Sequence, residues 1–378
     1  MKGDSLGLQF TILGFACLIG FNVLMQAGVS IPSTSFSASN LQFGGDGALV
    51  YGGAMNLTLI LLSVWGNGMS NSRKAVVGGI LMSLGLIYVS FASMVNLPRY
   101  TGYIGMILLG MGTSVFQGMV MGLAGQHSQK AMSNVSTGQA LSGLICMPLA
   151  LLLNLAKSNQ ITVQSLILFG AISILGSIPI FLNDVAPHSS VLALSAASLS
   201  DEEGEKGRSI FAVLKDTWRF TLLIWINFFL LFTVFNFHFT WFVGGSLKFT
   251  MMLFIFNLAD FLGRLSVSFG VRLSPRGIYA VTLFRLIPFL GYLLCTYSKY
   301  AMFHMTAVRY LVVALLLLAQ GPAVTWCFIL SPSKLDRAAD HKTLGTVNTF
   351  AVVNGIFLGS IFGLLLSGVL PAPMAAVV

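Results

Sequence analysis

The spacing of its charges constrains this chain more than any other feature. Between polar and turn-forming clusters lie eleven almost wholly apolar stretches, near 7–28, 47–66, 75–97, 102–125, 135–156, 161–183, 218–241, 249–271, 277–297, 307–331 and 344–370. A helix rises about 1.5 Å per residue and the hydrocarbon core of a bilayer is about 30 Å thick, so each stretch has the length of one crossing. In lipid, every backbone N–H and C=O must be satisfied within the chain, and a run of this length does so as a helix. The expected fold is an all-α polytopic membrane protein with eleven transmembrane helices. Composition agrees, with 56% of the 378 residues hydrophobic and only 8% charged, where a soluble domain carries about 25%. The mean hydropathy is +0.87. Soluble enzymes, nucleic-acid binders and secreted modules are thereby excluded as classes, and a lipid bilayer is the expected surrounding. The short polar start runs into the first apolar stretch with no small-residue cleavage site, so that stretch is expected to be retained.

Most connections are short. The exception is the connection between the sixth and seventh segments, which carries the charged run from Asp201 to Arg208. The expected organisation is a six-helix N-terminal bundle over 1–183, a cytoplasmic linker over 184–216 and a five-helix C-terminal bundle over 217–378. This 6+5 arrangement of facing bundles is major-facilitator-like, a layout of many secondary transporters. The net charge of +9 acts first as an orientation signal. With the N-terminus cytoplasmic, Lys2, Arg73, Lys74, Lys130, Lys206, Arg208, Lys215, Arg219, Arg272, Arg276, Lys334, Arg337 and Lys342 lie inside, against Arg99, Lys157, Lys248 and Lys299 outside. That asymmetry sets the N-terminus inside and, with an odd number of spans, the C-terminus outside. Glycine pairs such as Gly118 and Gly122 have the four-residue spacing that lets helix backbones approach closely.

Chemistry-bearing clusters are sparse. Cys17, Cys146, Cys295 and Cys327 sit in apolar segments without CxxC spacing, and the five histidines are scattered over loops and helix ends. Neither a metal site nor a disulfide framework is expected, and no phosphate-binding glycine loop is present. An enzyme therefore lacks a catalytic constellation, and no cofactor or nucleic-acid partner is expected. The ionisable residues inside spans are Asp260, Arg264, Arg285 and Arg309. Such groups cost about 2.5–3.5 kcal/mol each at membrane depth, which makes them functional candidates. Asp260 lies midway between Lys248 and Arg272, at the midplane. Arg264 follows four residues later on the same helix face, and Asn257 precedes it by three, giving one polar stripe. Arg285 is a candidate for a gate or for pairing between the bundles, whereas Arg309 is expected to snorkel to the outer surface. Gln117 is a deep polar residue, and Asn22 and Asn354 are polar in otherwise apolar segments, Asn354 taken as a gating candidate.

Four stretches together resemble the equilibrative nucleoside transporter family. Phe256-Asn-Leu-Ala-Asp260-Phe-Leu-Gly263-Arg264 is similar to the family's eighth-helix pattern. Gln117-Gly-Met-Val-Met-Gly-Leu-Ala-Gly125 is similar to its fourth-helix pattern, and Gly138-Gln-Ala-Leu-Ser-Gly143 opens the fifth helix in the expected way. Phe21-Asn22-Val-Leu-Met25 matches the first-helix pattern with Phe in place of Trp, and Ala319-Gln-Gly-Pro322 departs from the usual tenth-helix sequence. The resemblance implies facilitative, alternating-access transport of nucleosides, purines favoured, and, as in some members of the family, of nucleobases, by a monomer in the plasma membrane. It implies that Asp260 and Arg264 bind the ribose hydroxyls, that Gln117 reads the base edge, that Phe21 and Met25 line the base pocket, and that Asn257 orients Asp260 or touches the ligand. Arg264 beside Asp260 argues for passive rather than proton-coupled flux. The alternative is a major-facilitator-type carrier of sugars or other small polar solutes. Its Asp-x-x-Gly-Arg signature is expected in a cytoplasmic loop, whereas here two further apolar turns follow Arg264.

Overall fold

A computed structural model describes residues 5–30, 47–65, 69–95, 97, 99–155, 159–188, 208–235 and 247–369. No strand occurs among them. The helices are α1 (Ser5–Ser30), α2 (Ala48–Trp65), α3 (Asn71–Met94), α4 (Arg99–His127), α5 (Gln129–Leu155), α6 (Asn159–Ile180), α7 (Ile210–Phe235), α8 (Leu247–Ser268), α9 (Pro275–Phe284), α10 (Leu286–Tyr297), the single turn α11 (Ala301–His304), α12 (Thr306–Leu330) and α13 (Ala338–Val369). Among the described residues, nine helices are long and apolar enough to cross a membrane, α9 and α10 counting as one over Pro275–Tyr297. The two other expected spans are helical as well. In α2 the apolar run is confined to Leu49–Leu62, and α5 carries Ser133, Asn134, Ser136, Thr137, Gln139 and Ser142, which lower its hydropathy.

Serine starts four of the helices. The side chains of Ser70, Ser128, Ser209 and Ser274 accept from the backbone N–H groups of Arg73, Ala131, Ala212 and Gly277 at 3.3, 3.0, 3.4 and 3.1 Å, a contribution of about 1 kcal/mol each. In an up-and-down topology these starts of α3, α5, α7 and α9 share one end of the molecule. The same end gathers Arg73, Lys74, Lys130, Lys334 and Lys342, with Lys74 and Lys342 near enough to feel each other's charge; it is called the basic end below. The long linker expected over 184–216 is shorter at both ends. A π-helical turn, Phe181–Val185, extends α6, and α7 begins at Ile210, while residues 189–207 lie outside the described residues. Arg208 ties this start to α13: its backbone N and Nε donate to the Asp340 carboxylate at 2.7 and 2.6 Å, and Nη1 pairs with Asp216 at 2.8 Å.

The interruption between α9 and α10 falls at Arg285. Pro288 has no N–H to offer the carbonyl of Phe284, so the ladder slackens there, although Arg285 still donates to Val281 O and accepts from Phe289 N.

Helices α1, α3, α4, α5 and α6 pack among themselves, with α2 against α4, and α7, α8, α10, α12 and α13 pack through α7–α13, α8–α12 and α10–α12. The two groups meet where α2 and α4 cross α13 and where α5 runs antiparallel to α8 and touches α12. At the basic end the α4–α13 crossing is almost bare backbone. A Cβ on Gly345 would stand 2.4 Å from the Cα of Gly122, whereas a Cβ on Gly122 would meet Lys342 at an ordinary 3.5 Å. Gly118, the other member of the four-residue spacing, would meet nothing within 4 Å. Ser133 and Ser268, 3.4 Å apart, close the neighbouring α5–α8 contact.

Gly345→Ala therefore forces α4 and α13 apart, an overpacking cost of about 1–3 kcal/mol, and Gly122→Ala does not. A cysteine placed at Ser133 should react faster with a water-soluble maleimide in the Gly345→Ala background and at the parent rate in the Gly122→Ala background. Equal rates in both would show that this crossing does not control access to Ser133.

Candidate functional site

Where α1, α2, α4 and α5 face α7, α8, α12 and α13, a central cavity of about 110 Å³ remains. Its walls are largely aromatic and aliphatic: Phe21 and Tyr51 on one side, Phe228, Phe232, Phe235 and Phe256 on the other. Phe21 stacks on Tyr51 with ring centroids 4.9 Å apart, and Phe235 meets Phe256 edge-on at 5.5 Å. Set into this lining are Asn22, Gln117, Gln139, Asn257, Asp260, Arg264 and Gln320.

The polar centre is built on α8. Residues four apart on a helix lie one above the other, and Arg264 Nε donates to Asp260 Oδ2 at 3.0 Å, with 4% and 15% of the two side chains exposed. The guanidinium then reaches across to α5. Its Nη1 donates to Ser136 O at 3.3 Å, Ser136 Oγ at 3.2 Å and Gln139 Oε1 at 3.3 Å, and Ser136 Oγ in turn bonds Thr325 of α12 at 2.8 Å. One charged group thus gathers three helices. Asp260 Oδ1, Gln117 Oε1 and Gln139 Nε2 are buried with no hydrogen-bond partner among the described residues. Native interiors rarely leave such atoms unpaired, and all three belong to residues that line the cavity. Two acceptors and one donor therefore await a polar ligand.

The structure brings Phe21, Asn22, Gln117, Asn257, Asp260 and Arg264 together around this cavity. Asn22 Nδ2 donates to Ser142 Oγ at 2.6 Å. Asn257 Nδ2 donates to Leu253 O, one turn back on its own helix, at 2.9 Å, and its oxygen stands against α5 at Gly143, where a Cβ would collide with it. Met25 lies in α1, and its side chain is outside the described ones. Arg285 is fully buried behind the cavity, and its hydrogen-bond partners, Leu316, Asn227 and Gln320, all belong to α7 and α12. Among the described residues it does not pair with α1–α6. Asn354 sits at the α2–α13 junction, accepting from Trp225 Nε1 at 3.0 Å and donating to Asn56 Oδ1 at 3.4 Å. Arg309 does not snorkel as expected: it is 3% exposed and its Nη2 lies 3.0 Å from His304 Nδ1, because the short α11 folds back over it.

Of the amides and charged side chains set into the lining, Gln139 and Gln320 were not singled out from the sequence. The available signal for Gln139 was the polar pair Ser136 and Gln139 at helical spacing, with the small Gly143 on the same face. For Gln320 it was a lone amide next to the Gly321-Pro322 pair. Among the described residues no three His, Cys, Asp or Glu side chains converge as a metal-binding group.

Removing one member of the buried pair leaves the other uncompensated, so a single Asp260→Leu change should cost about 3–5 kcal/mol, and the double change Asp260→Leu/Arg264→Leu less than either single one. Thermal melting of the three purified variants in detergent reads this directly. A double variant as destabilised as the sum of the singles would mean that the pair is not coupled.

No protein-family model matches the chain, and no curated protein matches it. Solved structures do. The chain is similar to FucP, a Major Facilitator Superfamily transporter in the outward conformation, at 14% identity and a TM-score of 0.59, covering 96% of this chain and 92% of that one. It is similar to a second structure of that protein, described as the E. coli fucose:proton symporter, at 14% identity and a TM-score of 0.58, with the same coverage. It is also similar to XylE, a major-facilitator proton:xylose symporter bound to 6-bromo-6-deoxy-D-glucose, at 12% identity and a TM-score of 0.65, covering 97% and 90%. At these identities the likeness establishes the fold. The chain is a multi-pass, all-α membrane protein with the helix arrangement of major-facilitator transporters.

Proposed function

We propose that this chain carries a small, neutral, polyhydroxylated solute across a lipid bilayer by alternating access through the central cavity, with no covalent step. The observation that carries the reading is the set of buried, unpartnered polar atoms, Asp260 Oδ1, Gln117 Oε1 and Gln139 Nε2, held inside aromatic walls. Hydroxyls satisfy such a mixed set, since each both donates and accepts, and ring faces or C–H faces of a solute satisfy the walls. A charged solute is not called for, because Asp260 is already paired with Arg264. One chain lines the whole cavity, which supports a monomeric carrier.

Two kinds of solute fit. A monosaccharide is favoured by the fold comparisons, whose structures are described as fucose and xylose symporters. A nucleoside is supported by the four sequence stretches that resemble the equilibrative nucleoside transporters and by Phe21 and Gln117 at the cavity, with the ribose taking the Asp260–Arg264 end. Initial uptake of labelled inosine and labelled D-glucose into vesicles containing the purified protein, each competed by a panel of nucleosides, nucleobases and monosaccharides, separates them. Uptake of neither above protein-free vesicles would overturn the transport reading. For the solute that enters, Asp260→Asn should slow uptake about tenfold or more, since it removes a charged acceptor.

Because Arg264 pairs with Asp260, the one carboxylate at the cavity among the described residues, flux should be passive. An inward proton gradient imposed on the vesicles should change the initial rate less than about twofold and drive no accumulation above equilibrium; a single coupled proton would give tenfold accumulation per pH unit.

A further inference from the structure

Gln320 stands on α12 where that helix lies closest to α8: a Cβ on the adjacent Gly321 would be 2.5 Å from the Arg264 backbone nitrogen. The Gln320 side chain lines the cavity and is 1% exposed. Arg285 Nη2 donates to its Oε1 at 2.6 Å. A guanidinium carries only donors, so the oxygen is the atom that must meet it, and the amide nitrogen is turned the other way. No acceptor among the described residues meets that nitrogen.

Arg285 is itself immobile. Its Nε donates to Leu316 O at 3.1 Å and Nη1 to Asn227 O at 3.0 Å and to Asn227 Oδ1. The Asn227 amide nitrogen is spent on Leu223 O at 2.7 Å and Thr282 Oγ1 at 3.1 Å, which fixes the sense of that amide too. All the acceptors around Arg285 are neutral. Across the cavity the same device recurs: Arg264 Nη1 takes Gln139 Oε1, and Gln139 Nε2 is left buried and unpartnered.

We infer that Gln320 is a substrate-binding hydrogen-bond donor whose amide is held in that sense by Arg285, a positioning residue. The inference rests on the transport reading above and narrows its substrate class. With Gln139, Gln320 gives the cavity two fixed donors beside the two acceptors Asp260 Oδ1 and Gln117 Oε1. The solute must bring oxygen acceptors to the two donors and hydroxyl donors to the two acceptors, the pattern of adjacent hydroxyls. A solute presenting ammonium groups at the two donors is rejected.

The test uses the full chain, with uptake of labelled inosine or D-glucose, whichever the vesicles take up. Monofluoro analogues of that solute serve as competitors, because fluorine for hydroxyl keeps a weak acceptor and removes the donor. In the parent protein at least one such analogue should compete within about threefold of the unmodified solute, and the same analogue should weaken about tenfold in Gln320→Glu, which replaces the donor by an acceptor. Arg285→Lys, which keeps a donor toward Oε1, should retain the parent ratio, whereas Arg285→Met should lose it. Unchanged ratios in Gln320→Glu would overturn the donor role.

Melting in detergent reads the clamp independently of transport. Gln320→Glu should melt at or above the parent, since a carboxylate pairs with Arg285 more strongly than an amide does, and Gln320→Leu should melt below it. Equal losses in both would overturn the Arg285 clamp. Should neither labelled solute enter parent vesicles, the transport reading and the substrate role of Gln320 both fall, and the melting comparison still decides the clamp.

Discussion

A guanidinium in the middle of a lipid-spanning chain must be met by acceptors, and the architecture around Arg264 follows from that requirement. Asp260, one turn back, supplies the countercharge, but one carboxylate oxygen does not satisfy five N–H donors. The remaining demand falls on α5, which answers with Ser136 and Gln139 and consequently reads as one of the less apolar helices. Ser136 hands the network on to Thr325 of α12. Because the guanidinium takes only Oδ2 of Asp260 and only Oε1 of Gln139, the other atom of each is left buried without a partner, and the cavity owes its polarity to this arrangement.

The distribution of bond strengths suits a device in which two groups of helices move against each other. The web around Arg285 joins α9, α7 and α12 only, and Arg208 with Asp340 and Asp216 joins α7 to α13; these charged contacts hold the C-terminal helices as a unit. Across the junction with α1–α6 the contacts are mostly neutral: Ser133 with Ser268, Ser136 with Thr325, Asn56 with Asn354, and the glycine crossing of α4 on α13. A neutral hydrogen bond contributes about 1 kcal/mol, so such contacts can be exchanged for others at small net cost. The charged contact that does cross, from Arg264 to Ser136 and Gln139, is also the one that lies at the cavity, where a solute could replace it.

Much of this was legible in the sequence because membranes make periodicity and charge unusually informative. The four-residue interval from Asp260 to Arg264 led directly to an ion pair, and Asn22, Gln117 and Asn257, chosen as deep polar residues in apolar segments, do reach the cavity. What escaped was tertiary. Arg285 lies toward one end of its segment and reads as a gate, yet two side chains and two carbonyls from α7 and α12 meet it in the interior, and no local pattern announces partners about 30 to 60 residues away in sequence. Arg309 fits the profile of a snorkelling residue, but the turn of α11 brings His304 over it. The start of α7 was placed too late because Lys215 and Asp216 look like linker; they lie in its first turns, after the Ser209 cap.

The major-facilitator helix arrangement and the stretches that resemble nucleoside transporters are compatible once the cavity is divided into its two chemistries. A fold shared at 12–14% identity fixes where helices run, not which side chains line the space between them. The polar end, made by α5, α8 and α12, asks for hydroxyls and does not distinguish a hexose from a ribose. The aromatic end, made by Phe21, Tyr51 and the phenylalanines of α7 and α8, meets whatever is attached to them. On the proposed reading, selectivity between the two solute types would reside in the walls, and the requirement for hydroxyls in Asp260 and the two amides that the arginines hold in place.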